Sequence, residues 1–258
     1  DLAARVALFQ NKMTDAANYA EAVLANSSFS LASTAMDFSK NWVAGSSSPE
    51  IIFAYVNNSR ASSPLNFTLY VNDTDGSWNY APSDWCYNSL FADDNTLSRK
   101  GDVRLKATFT SQDANRVIKY PNGTYQLAET SDYTCTPVVI SRISEMYLIK
   151  AEALGKTNGA AALVEYMKKR YTTAPSEAAI KALSDKEYQT LILDERRREF
   201  YAEGMRWQDI KRTNRLELLE TLDGRTYLMY YPIPQDEIDM AGTVAYPQNP
   251  GYAGYTGN

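Results

Sequence analysis

The sequence predicts a mostly α-helical protein, built from paired helices and interrupted by one loop-rich, partly β excursion. Three observations predict it. Residues 1–25 and 142–212 repeat apolar side chains at helical spacing, whereas residues 26–137 lose that period and become rich in Ser and Asn. The helical stretches also place small side chains, such as Ala17 and Ala20, where two helices would meet. Small residues there let helix axes approach closely, the packing logic of tetratricopeptide-like helix hairpins.

The elements follow in order. Leu2–Ala25 reads as helix, turn, helix: Ala4, Leu8 and Phe9 end one apolar face, and Thr14 is placed to cap the next helix. The excursion contains three short apolar runs, Glu50–Val56, Leu65–Val71 and Val103–Phe109, of which the last two alternate as strands do. Gly76 and Pro82 break the segment between them. Ser83 is placed to cap a short helix through Trp85, Leu90 and Phe91, and Pro121-Asn122-Gly123 suits a hairpin tip. Helix returns at Arg142–Leu154, turns at Gly155–Gly159 and continues as a partner helix to Arg170. Ser184 caps the helix that carries Tyr188, Leu191, Ile192, Glu195, Arg198 and Glu199 along one edge. Gly204 breaks it, and a second amphipathic run carries Trp207, Ile210 and Thr213. Tyr227–Pro234 reads as a short strand stopped by prolines.

Composition narrows the chemistry. A chain of 258 residues with 44% apolar side chains can bury a sizeable core. A net charge of −5 argues against a nucleic-acid or anionic-membrane surface. There is no histidine, so the commonest general base and metal ligand is absent. Cys86 and Cys135 are too few and too far apart for a disulfide framework or a zinc site, and read as two free thiols, or as one bridge if the chain is exported. No run of about 18 apolar residues spans a membrane. No cofactor is implied. The paired carboxylates Asp93-Asp94 and Asp73/Asp75 fit turn caps better than a hydrolytic pair or a calcium loop.

One stretch has the composition of a ligand site. In Asn72–Tyr80, Trp78 and Tyr80 lie two apart, so an extended backbone projects both rings to one side. Asn72 and Asn79 supply planar amides beside them. Sugars need that combination, an apolar C–H face to stack and hydroxyls seeking polar partners. Trp78, Tyr80, Asn79 and Asn72 are therefore the predicted ligand-binding residues, with no catalytic and no metal residue. Trp42, Trp85, Tyr87 and Trp207 read as packing residues.

The run Glu195-Arg196-Arg197-Arg198-Glu199-Phe200, Glu203-Gly204, Arg206-Trp207, Asp209 and Lys211-Arg212 resembles the C-terminal signature of the SusD/RagB family. That family comprises outer-membrane nutrient-binding lipoproteins. Ile140–Leu154 is similar to its upstream helix, and Tyr231–Asp239 with Gln248–Tyr252 to its ending. The resemblance implies a SusD-like C-terminal domain over 1–258. Within it, 1–25 and 142–212 form the helical scaffold, 26–137 the ligand-facing excursion and 213–258 a C-terminal extension. It implies a non-catalytic binding protein that captures an oligosaccharide, or a peptide, for a SusC-like TonB-dependent transporter. The setting it implies is the outer face of a Bacteroidetes-type outer membrane, reached through a lipid anchor on a longer precursor. The signature charges are expected to pair within the fold. A protein–protein adaptor built on the helix pairs is the alternative, and a glycan hydrolase a remote one.

Overall fold

The computed structural model describes residues 1–43, 48–56, 81–112, 116–120, 136–219, 222–241 and 248–252. It divides into two compact units, residues 1–203 and 204–258.

The first unit is a helical scaffold. Helices α1 (Leu2–Phe9) and α2 (Met13–Leu24) form a hairpin whose turn places Asn11 at φ 58°. Asn tolerates that left-handed conformation because its short side chain bonds locally. Ala4, Ala7, Leu8, Ala16 and Ala20 meet Ile143, Met146 and Ile149 of α5 (Ile143–Arg170) in one buried cluster. Gly155 breaks α5 at φ 65° and ψ 174°, so it is two helical arms. Gly159 then lets the second arm close. A Cβ there would stand 2.2 Å from the Ala151 carbonyl oxygen, which accepts a hydrogen bond from the Tyr188 hydroxyl at 2.9 Å. Helix α6 (Glu177–Ala182) precedes α7 (Asp185–Glu199), which Ser184 caps as the sequence suggests and where Glu187 completes a reciprocal capping box.

The excursion adds α3 (Ala35–Ser39), β1 (Ile51–Tyr55), β2 (Lys100–Asp102) and α4 (Val103–Thr108), and its strands pair with β3 (Val138–Arg142), just before α5, and β4 (Tyr171–Thr173), just after it. Strand β1 pairs antiparallel with β3 in an irregular register, Ile51 facing Arg142. Strand β2 pairs with β4, Asp102 facing Tyr171.

In the second unit, Gly204 (φ 79°) and Asn214 (φ 53°) bound α8 (Met205–Thr213) with left-handed residues. A 3-10 turn at Thr226–Met229 and α9 (Gln235–Met240) follow.

Several sequence expectations are corrected here. Val103–Phe109 is not a strand: Asp102 caps Val103–Thr108 as a helix, and Arg104, Ala107 and Thr108 bury at i, i+3 and i+4. Thr14 does not cap α2, which begins one residue earlier, at Met13, without a side-chain cap. The Ser83 helix becomes a π-helical turn, Cys86–Leu90, also without a side-chain cap. Tyr227–Pro234 is no strand. Its carbonyls at Tyr230, Tyr231 and Ile233 accept from Tyr252, Asn249 and Gln248 side chains, which replace strand pairing. The run Leu65–Val71, the Pro121 tip and Cys135 lie outside the described residues, and Cys86 is buried and free.

Candidate functional site

Asn72, Trp78, Asn79 and Tyr80 all lie outside the described residues. The structure shows instead what stands at the base of the excursion, and it is built from the signature helix. One face of α7 buries Glu195 and Glu199 completely. Three arginines from three other elements converge on Glu199: Arg142 at 2.5 Å, Arg170 at 2.9 Å and Arg104 at 3.2 Å. The Tyr166 hydroxyl donates to the same carboxylate at 2.7 Å. Arg104 also bonds Asp102 at 2.7 Å and Glu195 at 2.9 Å, while Arg170 reaches Glu50 at 2.8 Å. Arg198 closes on Glu195 at 2.9 Å and donates to the Leu90 carbonyl. Lys119, itself buried, binds Glu203 at 2.5 Å and the Tyr201 carbonyl at 2.8 Å.

Five cations of this cluster pair with five anions, and buried Arg99 stands beside them on the Tyr171 hydroxyl. Arg104, Lys119, Arg142, Arg170 and Arg198 face Glu50, Asp102, Glu195, Glu199 and Glu203. Aromatic faces complete it: Arg142 lies 5.3 Å from the Trp42 ring centroid, Lys119 4.4 Å, and Arg170 5.0 Å from that of Phe38. Burial pushes the Glu199 carboxyl up, but Arg170, Arg142 and Arg104 pull it well below the usual carboxylate range. Lys119 goes the other way: burial outweighs Glu203 and draws its pKa down to about 8. The cluster gives each of these ten charged groups an opposite partner. It ties strands, α4, α5 and α7 together, which is a structural task.

Sequence reasoning therefore found four of these ten charges, Glu195, Arg198, Glu199 and Glu203. It assigned the signature charges to pairing within the fold but missed their partners Glu50, Asp102, Arg104, Lys119, Arg142 and Arg170. A usable signal existed: Glu50 and Lys119 are lone charges flanking or interrupting apolar runs, EIIFAYV and VIKY. Of the packing aromatics, Trp42 is buried as expected. Trp85 is not: its ring is 36% exposed and stacks under Arg197, 4.1 Å from the centroid. Trp207 is exposed to the same extent. Asp93 and Asp94 cap a turn, accepting from Gly101 and Thr96 backbone N–H groups.

All the charges of this cluster but Glu50 lie within one matched region: the model of the SusD family matches residues 91–225, just over half of the chain. The chain belongs to the SusD family. A curated SusD-like relative, protein P38 of Formosa agariphila, is 30% identical over 142 residues, 50% of this chain and 27% of its own length. Among solved structures, a SusD superfamily protein from Bacteroides thetaiotaomicron matches with a TM-score of 0.64 at 23% identity. That match covers 96% of this chain and 59% of the other. Surface glycan-binding protein A from the same organism matches with a TM-score of 0.61 at 21% identity, over 96% of this chain and 62% of its own. The same protein has been solved in complex with laminarihexaose. At these identities the likeness establishes a shared SusD fold. The chain spans about a quarter of the curated relative and about three-fifths of these solved structures.

Proposed function

We propose that this SusD-family chain is the C-terminal part of a non-catalytic cell-surface protein that captures oligosaccharides, with peptides as a lesser ligand class. It hands them to a SusC-like TonB-dependent transporter at the outer face of the outer membrane, where a lipid anchor holds the full precursor. The observation that carries this reading is the SusD fold itself, shared along 96% of the chain with a glycan-binding protein. Among the described residues, no helix is long and apolar enough to cross a membrane.

The ligand platform is assigned to Asn72–Tyr80, with Trp78 as the stacking ring, Tyr80 as a second, hydrogen-bonding ring, and Asn72 and Asn79 holding hydroxyls. The domain plan follows: residues 26–137 face the ligand, 1–25 and 142–212 form the scaffold, and 213–258 extend it. The buried charge cluster supports such a plan physically. Recognition loops are most selective when a rigid scaffold fixes their ends, and β1, which leads into residues 57–80, is bonded through Glu50 and Ile51 to that cluster and to β3. A glycan array probed with the full-length protein tests the reading. Saturable binding to one family of oligosaccharides is expected; absence of glycan binding, with capture of peptides alone, contradicts it.

A further inference from the structure

Residues 204–258 carry a cleft of their own. It measures about 370 Å³ and is lined by Lys211, Asn214, Thr226, Tyr227, Tyr230 and Pro250, among others. That volume lies at the small end of ligand sites. We propose that this cleft is a second saccharide subsite, one that takes a single pyranose ring bearing a carboxylate.

Its wall is fixed more firmly than a surface turn requires. The Tyr252 hydroxyl donates to the Tyr230 carbonyl at 2.5 Å, Asn249 to the Tyr231 carbonyl at 2.7 Å, and Gln248 bonds both the N–H and the carbonyl of Ile233. Gly251, at φ 93°, closes the loop onto Tyr227, where a Cβ would stand 2.4 Å from the tyrosine Cβ. The Tyr227 and Tyr252 rings meet edge to face at 5.1 Å. These bonds do not serve burial of the rings, since Tyr230 remains 60% exposed. A preformed, exposed aromatic wall can stack the C–H face of a sugar without a further ordering cost.

The polar groups select the sugar. Lys211 lies on the last turn of α8 and Asn214 is its left-handed C-cap, and both line the cleft. The Lys211 ammonium rests 5.3 Å from the Tyr230 centroid, and no carboxylate of the described residues pairs with it. The side chains of Asn214 and Thr226 and the hydroxyls of Tyr227 and Tyr230 likewise bond no described residue. Among the described residues, no carboxylate lines the cleft. A neutral sugar would leave the ammonium without a partner, whereas a ring carboxylate supplies the charge-assisted bond. The inference rests on the reading of the protein as a saccharide binder but not on the Trp78 platform.

The test titrates the full-length protein with methyl glucuronide and with methyl glucoside, following amide shifts by NMR. Wild type is expected to bind the glucuronide about tenfold more tightly than the glucoside, a difference of about 1.4 kcal/mol. The shifts should concentrate in residues 211–230. Lys211→Met should bring the two affinities to parity, and Tyr230→Ala should weaken both. Melting curves verify that the variants fold. Equal affinity for the two probes, absence of saturable glucuronide binding, or glucuronide binding indifferent to Lys211→Met would overturn the proposal. Oligosaccharide binding at the Trp78 platform could survive each of those results.

Discussion

Glu199→Ala is the most telling perturbation of the scaffold. The carboxylate accepts from Arg142 at 2.5 Å, twice from Arg170 at 2.9 Å, from Arg104 at 3.2 Å and from Tyr166 at 2.7 Å. Truncation does not leave those arginines wholly bare, because Arg170 keeps Glu50, Arg104 keeps Asp102 and Glu195, and Arg142 keeps Glu203. It does leave a fully buried cluster with one uncompensated positive charge. Breaking a buried pair in this way costs about 3–5 kcal/mol. Domains are stable by only about 5–15 kcal/mol, so a third or more of the total is at stake. In a protein of this size the loss corresponds to a fall in Tm of roughly 6–20 °C. Glu199→Gln, which keeps the volume, should fall between wild type and alanine. Glu177, in an exposed i,i+4 pair with Lys181, is the control and should cost at most about 0.5 kcal/mol when truncated. Urea unfolding of the four proteins is the assay. A Glu199→Ala variant within 1 kcal/mol of wild type, or one of full stability that loses ligand, would refute the structural assignment.

Gly159→Ala should destabilise by about 1–3 kcal/mol, since its Cβ would meet the Ala151 carbonyl oxygen at 2.2 Å; a neutral melt would show that the two arms of α5 do not close there. Stability should also depend on pH at both ends. Glu195 and Glu199 are held below their ordinary 4.5, so their contribution is complete above that value and lost as pH falls below it. Lys119 is drawn down to about 8 from 10.5, so the folded state sheds its proton first and gains stability between those pH values, by up to about 3 kcal/mol. Lys119→Met removes that rise, and urea midpoints of both proteins from pH 3 to 10.5 measure the two effects.

Much of the scaffold was legible because it follows period and capping. Ser184 announces α7, Gly155 announces the break in α5, and the alanines of α2 announce its packing face. The α7 charges could be assigned to the interior because residues Tyr188, Leu191, Ile192 and Glu195 share their edge. Where reading failed, tertiary bonds overrode local pattern. Val103–Phe109 alternates like a strand, but the Asp102 cap and the burial of Arg104 beneath Glu195 and Glu199 make it helical. Tyr227–Pro234 has strand composition, but side chains 18 and 22 residues downstream take its carbonyls. The cleft beside Lys211 was illegible for the same reason, because its wall depends on Gly251 and Tyr252 folding back. The residues of the Trp78 platform carry no long-range pairing signal, only local composition, and composition alone suggests chemistry without placing it.

The central claim, that this chain captures saccharide on an aromatic platform carried by an ionic scaffold, is tested most directly by one measurement. Calorimetric titration of the full-length protein with the oligosaccharide selected on the array, for wild type and Trp78→Ala, should show a loss of about 1–3 kcal/mol in binding free energy. The melting temperature should stay unchanged, because an exposed ring contributes little to the core. Unchanged affinity, or a large drop in melting temperature, would contradict the account and place Trp78 in the core.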